Sequence, residues 1–217
     1  MLDTVIFDMD GLLIDSEPQW QLAGKETLHE FGISLTQEQY FSSTGLRTPE
    51  WIEYWFTHFR IDIVHAAEAI HTIEQRAIHN IRENAVAFPG THYIIKFFKE
   101  KKFRMGLATS SPLRLVKVVT EKLGIIDVFD AVSSAEDLPH GKPHPQVYLN
   151  CASQLNVSPL QCICFEDSFN GLISAKAARM KCVVVPVKQQ QKDRKWYAAD
   201  LQLPSLLKFN DILLSGL

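Results

Sequence analysis

Five short apolar, β-prone runs recur along the chain: TVIF (4–7), FRMGLAT (103–109), DAVSS (130–134), CICFE (162–166) and KCVVVPV (181–187). Helix-like stretches separate them at 90–100, 111–123, 145–155 and 169–179, the first and third starting near Pro89 and Pro145 and the second just after Ser110 and Ser111. Strand alternating with helix predicts an α/β chain, a Rossmann-like parallel sheet with helices on both faces. Residues 15–85 break the pattern. They hold no convincing strand but several amphipathic stretches, including QWQLAGKETLHEFG and VHAAEAIHTIEQRAIHNIREN. The expectation is a helical cap domain at 15–85 inserted into a core made of 1–14 and 86–217. The last run, LPSLLKFNDILLSGL, has period-3.6 apolar spacing and predicts a final helix.

Charge narrows the partners. With 22 Lys and Arg against 25 Asp and Glu, net −3, the chain has no basic field to hold a nucleic-acid backbone or an anionic membrane surface. Cys151, Cys162, Cys164 and Cys182 lack the paired CxxC spacing of a zinc site, and two lie in the apolar run QCICF, so reduced core thiols are expected. The opening MLDTVIFDMD is acidic where a signal peptide is basic, and no run approaches 18 apolar residues. A cytoplasmic monomer is the expectation.

Four segments carry chemistry. Asp8 and Asp10 follow the first strand, and residues two apart on an extended chain project from one face; Gly11 then allows a sharp turn. One aspartate there could simply cap a turn, but two are less easily explained that way. Glu166-Asp167-Ser168 ends the strand CICF and opens a helix, where capping is the competing reading. Ligands of an open parallel sheet gather outside the strands' carboxyl ends. Acids converging there repel one another unless a hard cation such as Mg2+ joins them. Ala108-Thr109-Ser110-Ser111 offers hydroxyls and amides at a helix start, suited to an anion or to plain capping. Lys142, between Gly141 and two prolines in GKPHP, has its ammonium aimed by a stiffened loop and could balance a phosphate among carboxylates.

Together VIFDMDGLL, LATSS, GKPHP and CFEDSFNG, in that order and with a cap-sized gap, resemble the haloacid dehalogenase superfamily, in its subgroup of phosphatases with a helical cap. The resemblance implies that Asp8 attacks phosphorus and that Asp10 protonates the leaving alcohol and then activates water. It implies Mg2+, replaceable by Mn2+ or Co2+, held by Asp8, Asp10 through its backbone carbonyl, and Asp167, with Glu166 behind them. Thr109, ahead of Ser110, would bind the phosphoryl group, and Lys142 would balance charge. Asp10 argues for phosphate rather than halide chemistry, since the dehalogenase members do not use the second aspartate.

Substrate choice is expected from Glu17, Trp20 and Thr44-Gly45-Leu46-Arg47, with Arg47 facing the substrate or pairing within the cap. Trp51 and Trp55, spaced i, i+4, read as cap core. The phrases FDMDGLLIDSEPQW and FEDSFNG look most like bacterial hexose and hexitol phosphate phosphatases, including those acting on 2-deoxyglucose 6-phosphate, so a small phosphate monoester is the expected substrate. A β-phosphoglucomutase-like phosphotransferase uses the same motifs and is the nearest rival. A non-catalytic phosphosugar-binding regulator is the second, although the nucleophile and metal ligands are all present.

Overall fold

The computed structural model describes residues 2–217. Six strands, β1 (Thr4–Phe7), β2 (Arg104–Thr109), β3 (Ala131–Ser134), β4 (Cys162–Glu166), β5 (Lys181–Val184) and β6 (Leu201–Gln202), form one sheet in the order β3-β2-β1-β4-β5-β6. Every pairing is parallel. The chain winds outward from β1 to β3, then crosses back to lay β4 on the other side of β1. That reversal opens a crevice at the carboxyl ends of β1 and β4, the usual ligand position in such sheets. Phe7 pairs with both Leu107 and Phe165, so Asp8 follows beside Ala108 and Glu166.

Side-chain alternation sorts the strands' residues onto two faces. Phe7 and Phe165 meet Phe98 of α5 (Thr91–Glu100) and Phe209 on one face. Ile6, Cys164 and Cys182 face the other way, toward Tyr148 and Cys151 of α7 (Gln146–Gln154) and Leu172 of α8 (Phe169–Ala177). All four cysteines are free and buried. Burial pushes the Cys151 and Cys162 thiols up to about 12, as inert core thiols require. The remaining core helix of this pattern is α6 (Leu113–Leu123), ended by Gly124 in the left-handed conformation.

Between β1 and α5 lie four helices: α1 (Glu17–Glu30), α2 (Gln37–Ser42), α3 (Thr48–Phe59) and α4 (Ala66–Asn84). The buried stripe Ala69, Ile73, Ala77 and Ile81 has i, i+4 spacing, and α4 packs on α1 and α3. The chain leaves and re-enters the sheet region side by side, with the Asp15 amide donating to the Val86 carbonyl at 2.9 Å and Ile14 bridging Ala87. Among the described residues no helix is long and apolar enough to cross a membrane.

Besides the two-residue β6, which none of the five apolar runs covers, three elements depart from the sequence pattern. The expected C-terminal helix is broken into a 3-10 turn at Leu206–Lys208 and a short α9 (Asp211–Ser215). The break lets Phe209 sink fully into the aromatic cluster while the Asn210 side chain caps α9. The strand expected through Val187 ends at Val184, two residues before Pro186, which lacks a ladder donor. Helix α6 starts at Leu113, not Ser111, since Pro112 takes the N-cap position and Ser111 turns toward Asp10.

Candidate active site

Asp8 stands at the end of β1, its amide tied to the Phe165 carbonyl at 3.0 Å. Its carboxylate meets the Lys142 ammonium at 2.5 Å. Lys142 is 1 % exposed and also donates to Glu166 Oε1 at 2.6 Å and to the Ala108 carbonyl at 3.0 Å. Burial pulls the lysine's pKa down, but Asp8 and Glu166 outweigh it and leave the pKa above its usual value. For Asp8, burial pushes the carboxyl upward, Lys142 pulls it down, and Glu166 and Asp10 push again; the net direction is up.

Glu166 is wholly buried, and both its oxygens are engaged. Oε1 accepts from Lys142 and, at 2.6 Å, from the Tyr148 hydroxyl; Oε2 accepts from the Asp167 and Ser168 amides and the Ser168 hydroxyl. Asp167 is different. It is buried, yet no donor among the described residues reaches its carboxylate, and the N-cap role of α8 belongs to Ser168, which accepts from the Gly171 amide at 3.0 Å. Burial first, then Asp8, Glu166 and Glu17, push the Asp167 carboxyl well above the aspartate range. Gly11, at φ 75°, lies hard against Asp167, where a Cβ would collide with its Oδ2.

A divalent cation fits this arrangement. Carboxylate oxygens of Asp8, Glu166 and Asp167 lie within 4.8 Å of one another. Since Glu166 is occupied by Lys142 and the β4–α8 turn, Asp8 and the donor-free Asp167 are the pair left to ligate. Their mutual repulsion is what a bound cation would relieve.

Three donors fix Asp10. Ser16 Oγ at 2.7 Å and Trp20 Nε1 at 3.0 Å reach Oδ1, and Ser111 Oγ at 2.7 Å reaches Oδ2. Ser111 therefore serves Asp10 rather than capping α6. Thr109 is buried with its hydroxyl accepting from the Ser111 amide, and Ser110 donates to the Gly45 carbonyl across the cleft. Sequence reasoning missed Ser16, Tyr148 and the part played by Ser111. Each acts through the sheet's winding or a single helical turn, and no local motif marks it.

A cleft lies between these groups and α1–α4, lined from the sheet edge by Asp8, Asp10, Thr109, Ser110, Lys142 and Asp167 and from the helices by Glu17, Trp20, Tyr40 and Trp51, with Trp20 bonded to Asp10 and Glu17 close to Gly11 and Asp167. Glu17 accepts no hydrogen bond from the described residues. Although part of its surface is open, its carboxyl is pushed up to about 8 by burial and then by Asp10 and Asp15. Trp51 and Trp55 are both buried in the helical core, as expected, and Trp51 also borders the cleft. Arg47, expected to face the substrate or to pair within the cap, is not on the lining and pairs with Glu50 at 2.7 Å; its guanidinium also donates to the carbonyls of Ala135 at 2.9 Å, Leu138 at 2.5 Å and Pro139 at 3.3 Å. Those three acceptors and Glu50 hold it away from the cleft.

The family model for haloacid dehalogenase-like hydrolases matches residues 5–185. The chain belongs to this family. It is 41% identical over 202 residues to hexitol phosphatase B of Escherichia coli strain K12, covering 93% of this chain and 91% of that one. Its fold superposes on CbbY from Rhodobacter sphaeroides, solved in complex with phosphate, with a TM-score of 0.86 at 25% identity, covering 100% and 99% of the two chains. A β-phosphoglucomutase from Clostridium difficile shares the fold with a TM-score of 0.87 at 23% identity, over 99% and 96%. The four motifs of this haloacid dehalogenase-like hydrolase thus sit on the parallel sheet that the family resemblance implied.

Proposed function

We propose that this hydrolase is a Mg2+-dependent phosphatase of small phosphate monoesters, with hexose and hexitol phosphates, including 2-deoxyglucose 6-phosphate, as its substrate class. The observation that carries the reading is the buried Asp8–Lys142 pair facing a donor-free Asp167 at the sheet's carboxyl edge. The likeness to hexitol phosphatase B supports the substrate class.

In this reading Asp8 attacks phosphorus, forming an aspartyl-phosphate as the P–O bond to the sugar breaks, and water then cleaves that intermediate. Asp10 gives its proton to the departing alkoxide and takes one from the water. Ser16 and Ser111 can rotate their hydroxyls to suit either protonation state of Asp10, which keeps the acid in place through both steps. Lys142 keeps Asp8 oriented and offsets the charge of the incoming phosphate. Thr109 and Ser110 bind phosphoryl oxygens. Asp8, Asp167 and the Asp10 carbonyl would hold the cation, which neutralises phosphoryl charge when bound; Mn2+ and Co2+ are suitable substitutes. Residues 15–85 act as the cap that encloses the sugar.

Return of the phosphoryl group to the sugar, as in a mutase, would require the cleft to hold a bisphosphate. Lys142 is the only Lys or Arg lining it among the described residues, and Glu17 stands on its helical wall. A second phosphate would meet an acid and aromatic faces there, whereas a neutral hydroxylated body would be welcome, so hydrolysis is the better reading. The test is phosphate release from hexose and hexitol phosphates, with and without Mg2+, by the wild type and Asp8→Asn. Metal-dependent release that disappears in Asp8→Asn supports the reading. Isomerised sugar phosphate without released phosphate would replace it with the mutase; no turnover of any kind would point to a binding protein.

A further inference from the structure

Arg47 and Glu50 form one unit that spans from the α1–α4 helices to the loop preceding Lys142. Arg47 is the N-cap residue of α3 and Glu50 sits three residues on, so their side chains meet on one helix face at 2.7 Å. Beyond that pair the unit faces outward. Arg47 donates to the carbonyls of Ala135, Leu138 and Pro139, and Glu50 Oε1 accepts from the Gly141 amide at 2.8 Å. A Cβ at Gly141 would lie 2.5 Å from Glu50 Oε2 and 2.8 Å from Arg47 Nε, so the loop approaches this closely only as glycine. Burial opposes the charge on Glu50, yet hydrogen bonds from Arg47 and Gly141 hold its carboxyl below the ordinary range.

The position of the clasp gives it meaning. Gly141 directly precedes Lys142, whose ammonium must reach Asp8, Glu166 and the Ala108 carbonyl together. Elsewhere the helical segment is tied to the core by single bonds, Ser110 to Gly45 and Asn170 to Thr44, and on the far side of α4 by the Arg114–Glu74 pair and by Lys122 on the carbonyls of Arg82 and Glu83. Opening the cleft to admit substrate would therefore release three carbonyls and one amide on the Lys142 loop at once, and closing would recapture them.

We propose that Arg47 and Glu50 are positioning residues that latch α3 onto the 135–141 loop and thereby set Lys142 against Asp8 each time the cleft closes. The inference rests on the reading of Asp8 as the nucleophile. It accounts for the one cationic residue of the Thr44–Arg47 segment being absent from the cleft, and it makes the geometry of the catalytic lysine depend on closure over substrate. A hydrolase so arranged completes its catalytic constellation only when substrate is enclosed.

The experiment compares Arg47→Ala, Glu50→Gln, the double variant and Arg47→Lys in the full chain, with a hexitol phosphate and with p-nitrophenyl phosphate, which has no sugar to recognise. A latch predicts that each single substitution lowers kcat on both substrates by about 10- to 100-fold with KM little changed, as expected for a small misplacement of a catalytic group. The double variant should be no worse than either single, and Arg47→Lys should restore part of kcat. Hydrogen exchange across 135–142 should quicken in Arg47→Ala and Glu50→Gln, a readout that needs no turnover. A rise in KM confined to the hexitol phosphate, with exchange unchanged, would make Arg47 a substrate ligand and overturn the latch. Absence of phosphate release by the wild type would overturn the phosphatase reading instead, with the exchange data still deciding whether the clasp holds the loop.

Discussion

At the sheet edge Lys142, Glu166 and Asp10 are gripped from several sides, with only the cation-facing Asp167 left free of donors, whereas on the helical side of the same cleft the ionisable groups are left open. Lys142 touches two carboxylates and a carbonyl, Glu166 is satisfied at both oxygens, and Asp10 takes three donors. On the helical side neither the Glu17 carboxylate nor the Tyr40 hydroxyl has a partner among the described residues, and Trp51 forms the aromatic wall. The first arrangement fixes charges before substrate arrives, which is what stabilising a transferring phosphoryl group requires. The second leaves valences and aromatic surface for whatever hydroxylated body the phosphate carries. Reaction and recognition are thus assigned to different sides, and substitutions should separate them.

The largest effect belongs to the buried lysine. Lys142→Met strands Asp8 and Glu166 without their cation, so urea denaturation should show a loss of about 3–5 kcal/mol along with loss of phosphate release. Retention of full stability would mean that the edge is not held by its charge network. Asp10→Asn should fold normally, since Ser16 and Trp20 can still bond the amide oxygen and the Ser111 hydroxyl can turn to accept from the NH2 group, but kcat should fall by about 10²- to 10⁴-fold, the usual worth of a general acid–base group. A fall in affinity alone, read from KM, would move Asp10 to the recognition side.

The raised acids give a pH signature next in size. Asp8 and Asp167 have folded pKa values above their usual 3.8, and Glu17 rises from 4.5 to about 8. In this range the metal-free folded chain holds more protons than the unfolded one, so its stability falls as pH rises, from near the ordinary carboxylate values up to about 8 for Glu17. Melting temperature without metal should therefore decline between pH 6 and 8, and Mg2+ should restore it more at the higher pH, because its ligands must shed their protons to bind. Asp167→Asn should remove most of the Mg2+ response. A metal-free melting temperature that climbs over the same interval would contradict the crowding of acids at the edge. The smallest change is expected from Tyr40→Phe, which removes one hydroxyl from the open side: KM for a hexitol phosphate should rise by up to about 10-fold with kcat nearly unchanged. An equal fall in kcat would show that the two sides are not separable.

The same division explains what the sequence discloses. Asp8, Asp10, Thr109, Lys142 and Asp167 each sit immediately after or close to a strand, so once the parallel order is inferred their convergence follows from local spacing. Ser16, Tyr148 and Tyr40 have no such anchor. Ser16 meets Asp10 through the turn that follows β1, and Tyr148 reaches Glu166 only because α7 packs where it does on the sheet. Arg47 is set by long-range contacts. Its Gly-Leu-Arg neighbourhood points to substrate, but its partners are carbonyls 88 to 92 positions away, brought close by the docking of α3 on the β3–α7 loop. The broken C-terminal helix has a similar cause: Phe209 satisfies the helical period, yet the aromatic cluster around Phe165 offers it a deeper burial than a continuous helix would. Long-range packing decided each of these.

The central claim is that Asp8 forms a covalent bond to phosphorus, and the stereochemical course at phosphorus tests it most directly. A phosphorothioate monoester made chiral with oxygen isotopes would be hydrolysed in isotopically labelled water and the product's configuration read by phosphorus NMR. Attack by Asp8 followed by attack by water is two in-line displacements and predicts retention. Inversion would mean that water attacks the substrate directly, and Asp8 would then be a base or a metal ligand rather than the nucleophile.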